Sequence, residues 1–161
     1  MGLVYLWKKQ HDKALVEAER AVALNPNGAD GYVTLGAILT FAGRPEEAIG
    51  VIEKAMRLNP RYRPIYLFQL SVAYRMAGRY DEALLPGKKF LTLNPNSFQG
   101  HFNLAVIYGE LGQEAEAQAE VAEMLRIMPT FSLEKVRQDI PFKDPVALER
   151  HLAALRKAGL K

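Results

Sequence analysis

The chain has no cysteine, which removes disulfides, thiolate nucleophiles and zinc–thiolate centres from consideration. It has no stretch near the roughly 18–20 uninterrupted apolar residues that a membrane span requires. No membrane partner is therefore expected. At the N-terminus, Lys8 and Lys9 follow the apolar run instead of preceding it, the reverse of a secretory signal. The absence of cysteine fits a reducing cytoplasm, the expected location. One-signed charge is scarce as well. The net charge is +3, yet residues 1–130 carry 14 Lys/Arg against 14 Asp/Glu, and the excess sits in residues 131–161 with 7 against 4. A mildly basic tail reads as a solvated helix face, so no nucleic-acid partner is expected.

Signatures of chemistry are equally thin. There is no glycine-rich phosphate loop and no nucleophile elbow. The three histidines, His11, His101 and His151, lie in different elements without an i, i+4 companion, which suits surface or packing residues better than metal ligands. The acidic pairs Glu46-Glu47 and Asp81-Glu82 recur where helices begin and complement the positive first turn, rather than forming a catalytic dyad. The expectation is a protein that is not an enzyme, with no catalytic residue, no metal and no cofactor.

What is present is a repeat. Four segments end alike, at Leu24-Asn25-Pro26, Leu58-Asn59-Pro60, Leu93-Asn94-Pro95 and Ile127-Met128-Pro129, with prolines 34, 35 and 34 residues apart. Gly43, Gly78 and Gly112 each stand 17 residues before their proline, and Ala14, Ala48, Ala83 and Ala117 each stand 12 before it. Each landmark has a mechanical role. The glycines supply the left-handed residue that ends a first helix. A second helix then opens at Pro45-Glu46-Glu47 or Tyr80-Asp81-Glu82, with carboxylates in its first turn. Gly36, Ser71 and Ala105 face Ala48, Ala83 and Ala117, small enough for two helix axes to approach to about 8–10 Å. The residue before each proline is driven out of the helical region and ends the second helix.

A helical pair with this period resembles the tetratricopeptide repeat. Tyr32, Leu35, Gly36, Ala48, Ile52, Ala55 and Pro60 match its pattern in the cleanest copy. The resemblance implies an all-α, right-handed superhelical solenoid of antiparallel helix pairs over residues 1–130, with a truncated repeat at 1–27 and full repeats at 28–62, 63–96 and 97–130. Gly2 and Tyr5 hold the pattern's Gly and Tyr in the first copy, so the start of its first helix is missing. The expectation is a fragment of a longer protein, or one that has lost an upstream repeat. The third repeat places Pro86-Gly87 inside its second helix. Proline there costs roughly 3 kcal/mol in a regular helix and glycine about 1. Two readings stand: a tolerated kink on the convex side, or a hinge that alters curvature.

After Pro129 the repeat stops. Ser132 caps a short helix, and Asp144 caps a second with Pro145 at its first position, closed by Gly159. Val146, Leu148, Leu152 and Leu155 give this last helix an apolar face. Residues 131–161 are expected to act as a capping pair, because a solenoid needs its last face covered. Phe131-Ser132-Leu133-Glu134, Ile140 through Pro145 and Leu155 through Leu160 also resemble the C-terminal ending of repeat-bearing bacterial adenylate/guanylate cyclases. That likeness implies a region of a cyclase-like regulatory protein, without cyclase activity of its own.

In the tetratricopeptide architecture the first helix of each repeat lines the concave groove. Helical spacing then assigns Val33, Thr34, Ala37 and Phe41 to the groove in the second repeat. The third contributes Phe68, Gln69, Val72, Arg75 and Met76, and the fourth Phe102, Asn103, Val106 and Glu110. The family's best-known ligand mode clamps a terminal carboxylate with Lys, Arg and Asn, for which only Arg75 and Asn103 qualify. An apolar lane beside amides suits an amphipathic helix or extended hydrophobic peptide instead. The expected function is a protein–protein interaction scaffold whose partner is a protein or peptide segment, its own upstream region or another copy. The alternative is a self-association segment.

Overall fold

The computed structural model describes residues 1–161 and is all-helical. Its helices are α1 (Gly2–Trp7), α2 (His11–Leu24), α3 (Ala29–Phe41), α4 (Pro45–Leu58), α5 (Pro64–Met76), α6 (Tyr80–Leu93), α7 (Phe98–Glu110), α8 (Glu114–Ile127), α9 (Leu133–Asp139) and α10 (Pro145–Lys157). Consecutive pairs α1/α2, α3/α4, α5/α6 and α7/α8 pack as hairpins, and each pair stacks on the next to form a solenoid. None of the helices is long and apolar enough to cross a membrane.

The turn inside each hairpin repeats one device. The amides of Arg44, Arg79 and Gln113 donate back to the carbonyls of Leu39, Tyr74 and Tyr108, each at 2.9 Å. This closes the helix around a left-handed residue. Gly43, Gly78 and Gly112 fill that position with φ of 83°, 75° and 72°. In the first hairpin Lys9 holds it instead, at φ 57°, and the Gln10 amide donates to the Tyr5 carbonyl in the same way. Glu47 and Glu82 are paired at 2.7 Å with Arg44 and Arg79, the residues just before their own helices. Those exposed pairs hold both carboxyls below the usual range.

Inside the second and third hairpins a small residue meets a partner 16 positions on: Gly36 with Ile52 and Ser71 with Gly87. A Cβ on Gly36 would lie 2.4 Å from Ile52 Cγ1, so a large second residue demands glycine in the first position. The third hairpin inverts this arrangement. A Cβ on Gly87 would come within 2.7 Å of Ser71 Oγ and 3.0 Å of Leu104 Cδ2. Ser71 donates to the Ala83 carbonyl and accepts from Asn103 Nδ2, both at 2.7 Å. Pro86 and Gly87 are buried, and α6 runs unbroken past them. The convex placement expected from the sequence is therefore corrected. Ala83, Pro86, Gly87 and Phe90 fall at i, i+3, i+4 and i+7, the inward face of α6.

Gly50 is the counter-example, mid-helix in α4 and exposed, with nothing within 4 Å of a would-be Cβ. Gly50→Ala should stabilise the chain by about 0.5–1 kcal/mol by removing backbone freedom from the unfolded state. For a chain of this size the expected rise in Tm is roughly 1–4 °C; an unchanged or lower Tm by differential scanning calorimetry would refute it.

Candidate concave groove and its occupant

The concave face carries the chain's own C-terminus. From Phe131, whose ring stands 4.7 Å from Phe98 and 6.3 Å from Phe102, the tail folds back across the repeats. It reaches the first repeat, where Lys9 Nζ donates to the Arg137 carbonyl at 3.3 Å and His11 Nε2 donates to the Pro141 carbonyl at 2.8 Å. At the second repeat the Lys143 amide donates to the Phe41 carbonyl at 3.2 Å, and the Phe41 and Phe142 rings meet edge to face at 5.8 Å. The chain then returns along α10, which packs on α7, α8 and α9. The Leu133 amide closes the tail on the Lys161 carbonyl at 3.0 Å.

Of the apolar face expected on α10, Leu148, Leu152 and Leu155 pack inward and Val146 does not. Val146 is 72% exposed, while Ala147, His151, Ala154 and Ala158 join Leu152 and Leu155 in the interior. Small side chains are needed because α10 lies close to α7: a Cβ on Gly109 would sit 3.1 Å from Ala154 Cβ. Phe102, Val106, Leu152, Leu155 and Leu160 share one apolar cluster with Val136 of α9.

The sequence-assigned groove residues are placed differently from one another. Phe41, Arg75, Phe102, Val106 and Glu110 gather in or around the apolar cluster and polar pocket beside the tail. Val33 packs between hairpins with Tyr32, Ala55 and Tyr66, Phe68 sets its ring 5.0 Å from Phe90, and Asn103 spends its amide on Ser71. Thr34 donates to its own Asp30 carbonyl at 3.0 Å. Ala37 and Val72 are buried, and Gln69 and Met76 are half-buried. The residues that sequence reasoning missed are Gly109 and the tail's Phe142, Arg150 and His151. Gly109 was legible, since it follows Arg75 by one repeat; the tail residues carried no periodic signal.

Arg75 lies at the polar centre. It is 2% exposed, and its Nε and Nη1 make no hydrogen bond. Its guanidinium stands 5.8 Å from the Phe102 ring. Burial lowers its pKa to about 10, so it stays charged at neutral pH. The Glu110 carboxylate acts on it through space but pairs with Arg150, at 3.6 Å. His151 is fully buried against the Phe142 ring at 5.1 Å, and its Nδ1 donates to the Ala147 carbonyl at 2.5 Å. Burial first, and then the Arg75 cation, push its pKa well below the ordinary 6.5. Burial and the Glu110 carboxylate raise the Tyr80 phenol. No group of three or more His, Asp or Glu side chains is placed to hold a metal ion.

Residues 29–62 and 87–119 each match a tetratricopeptide repeat model. Among solved structures, the chain is similar to TTC0263, a thermophilic TPR protein in Thermus thermophilus, with TM-score 0.68 and 26% identity over 96% of this chain and 78% of that one. It resembles MamA with TM-score 0.66 and 18% identity, covering 98% and 92%. It also resembles YrrB, described as a TPR protein with an unusual peptide-binding site, with TM-score 0.62 and 19% identity, covering 98% and 80%. Among curated proteins, 99 residues are 29% identical to the BBSome complex member BBS4 of Bos taurus, 62% of this chain and 19% of that protein. A further 33% identity over 104 residues links it to the peroxisomal targeting signal receptor of Saccharomyces cerevisiae, 17% of whose length is matched. The match thus spans about a fifth to a quarter of the first two curated relatives.

Proposed function

We propose that this tetratricopeptide-repeat chain is a non-catalytic scaffold whose concave groove receives an amphipathic helix. The observation that carries the reading is the occupant itself: α10, an amphipathic helix, lies against α7 in the groove of its own chain. Helix-in-groove recognition uses anchors at i, i+3, i+4 and i+7, and Ala147, His151, Ala154 and Ala158 follow that spacing closely. Peptide handling in YrrB, and targeting-signal recognition implied by the name of the yeast receptor, are consistent with it. The likeness of residues 131–160 to repeat-bearing cyclase endings supports a setting within a larger regulatory protein.

The test is to loosen α10 in the full chain with Leu152→Asp and Leu155→Asp together. Amide protection of residues 145–157 should fall while α3 to α8 stay protected, and the variant should capture an added peptide of native sequence 144–161. Loss of protection throughout the repeats, or no capture, removes the reading.

A second reading is favoured by the first hairpin, where Leu3, Val4, Trp7 and Val16 are exposed, Trp7 by 59%. Contiguous exposed apolar side chains commonly mark an association surface, here one that joins two copies. Light scattering across a concentration series decides it, and a strict monomer at high concentration discards it.

A further inference from the structure

We infer that the seat beneath α10 is built to recognise an acidic side chain on a partner protein's amphipathic helix, at the position α10 fills with His151. The inference rests on the groove reading above and adds the chemistry of the partner. Within the solenoid, the repeat position that Arg75 holds runs Thr40, Arg75, Gly109, one residue per repeat. Only the middle one is charged. Thr40 satisfies itself by donating to the Gly36 carbonyl at 2.8 Å, and Gly109 offers only backbone. Arg75 alone is left with two nitrogens that bond to nothing, in a position with 2% exposure.

The charges around it leave Arg75 without a direct partner. Glu110 of α7 makes its ion pair with Arg150 of α10 at 3.6 Å and reaches Arg75 of α5 only through space, beside the neutral Tyr80 of α6 and the buried His151. Arg75 itself makes no ion pair and keeps two nitrogens unbonded. A buried cation without its own partner is strongly unfavourable, whereas a guanidinium that meets a carboxylate in a fork geometry makes one of the stronger side-chain contacts available. His151 cannot supply that contact. Its Nδ1 is committed to the Ala147 carbonyl, and its Nε2 makes no bond. α10 therefore fits the seat in shape and leaves the Arg75 cation without a partner. A carboxylate in place of the imidazole would offer the unpaired nitrogens of Arg75 the charged acceptor that His151 does not. Shape narrows the partner further. The contact between Ala154 and Gly109 admits only a small residue three positions after the acid. Ala147 and Ala158 ask for small residues four before and seven after.

Two labelled peptides of residues 144–161, one native and one with His151→Glu, are added to the full-length chain. Their binding and the loss of amide protection of the tethered α10 are followed together. The tethered helix competes at an effective concentration in the millimolar range, so affinity differences appear as different displacement midpoints. The His151→Glu peptide should displace α10 at a concentration at least tenfold lower than the native peptide. The difference should vanish on Arg75→Met and persist on Arg75→Lys. Arg75→Gln replaces the methionine variant if that one does not fold. Equal midpoints on the native chain, or a preference that survives loss of the cation, overturn the acidic partner and leave the groove reading standing. Failure of both peptides to displace α10 at several millimolar overturns both.

Discussion

Gly87→Ile should destabilise the chain by about 2–4 kcal/mol, read as a lower urea midpoint at unchanged slope. In an exposed helix the same change would be favourable, because glycine costs roughly 1 kcal/mol in a helix interior. Here the first added carbon would lie 2.7 Å from Ser71 Oγ and 3.0 Å from Leu104 Cδ2. Overpacking of this kind costs about 1–3 kcal/mol. It also drives Ser71 away from the Ala83 carbonyl and from Asn103 Nδ2, the two hydrogen bonds its buried hydroxyl makes. Breaking buried hydrogen bonds adds about 1–3 kcal/mol, so the losses exceed the propensity gain. The neighbouring hairpin suggests the control, since Gly36 with Ile52 is the same contact with the large residue on the other helix. Ser71→Gly combined with Gly87→Ile recreates that arrangement and should recover part of the loss. Strictly additive effects of the two substitutions would show that the pair is not the unit of packing.

That exchange of size also shows how far the sequence could be read. The prolines, the left-handed glycines and the small alanines repeat at fixed offsets because each answers a local demand of the hairpin, and local demands leave a periodic trace. Pro86 and Gly87 break the trace. Their composition suggests a kink, whereas their spacing from Ala83 and Phe90 places them on the inward face, and the spacing prevails because tertiary packing overrides helix propensity. Lys9 stands where three other turns have glycine, so composition alone hides that turn too. The inward residues of α3, α5 and α7 were recoverable from periodicity, though some serve the hairpins and not the groove, as Phe68 and Asn103 do. The occupant was not recoverable. Its anchors join positions over 100 residues apart, such as Lys143 with Phe41 and His11 with Pro141, and nothing local specifies them. Its buried face joins Leu152 and Leu155 to three alanines and one histidine, and a search for a leucine stripe finds the first two and passes over the rest. Val146, on the solvent side, reads as part of that face for the same reason.

The histidine in that face makes the seating of α10 sensitive to acid. In the docked state, burial and Arg75 hold the His151 pKa well below 6.5, whereas an undocked tail restores the ordinary value. Above pH 6.5 the ring is neutral in both states, so pH does not bias docking through this group. Below it, the undocked tail binds a proton that the docked tail refuses, and docking weakens as pH falls towards the depressed value. The slope is at most about 1.4 kcal/mol, or tenfold in population, per pH unit. The groups that face the ring act in the same sense or nearly cancel. Arg75 on α5 and Arg150 on α10 oppose a third positive charge, Glu110 on α7 is already paired with Arg150, and Tyr80 on α6 is uncharged at these pH values. Between pH 7.5 and 5.5 the exchange-competent fraction of residues 145–157 should rise about tenfold, once intrinsic exchange chemistry is corrected for, while α4 changes little. His151→Leu keeps a similar volume, removes the proton site and should flatten the dependence. An α10 that opens no faster at pH 5.5, or a leucine variant with the same pH profile, would mean that His151 is not what holds the tail to neutral pH.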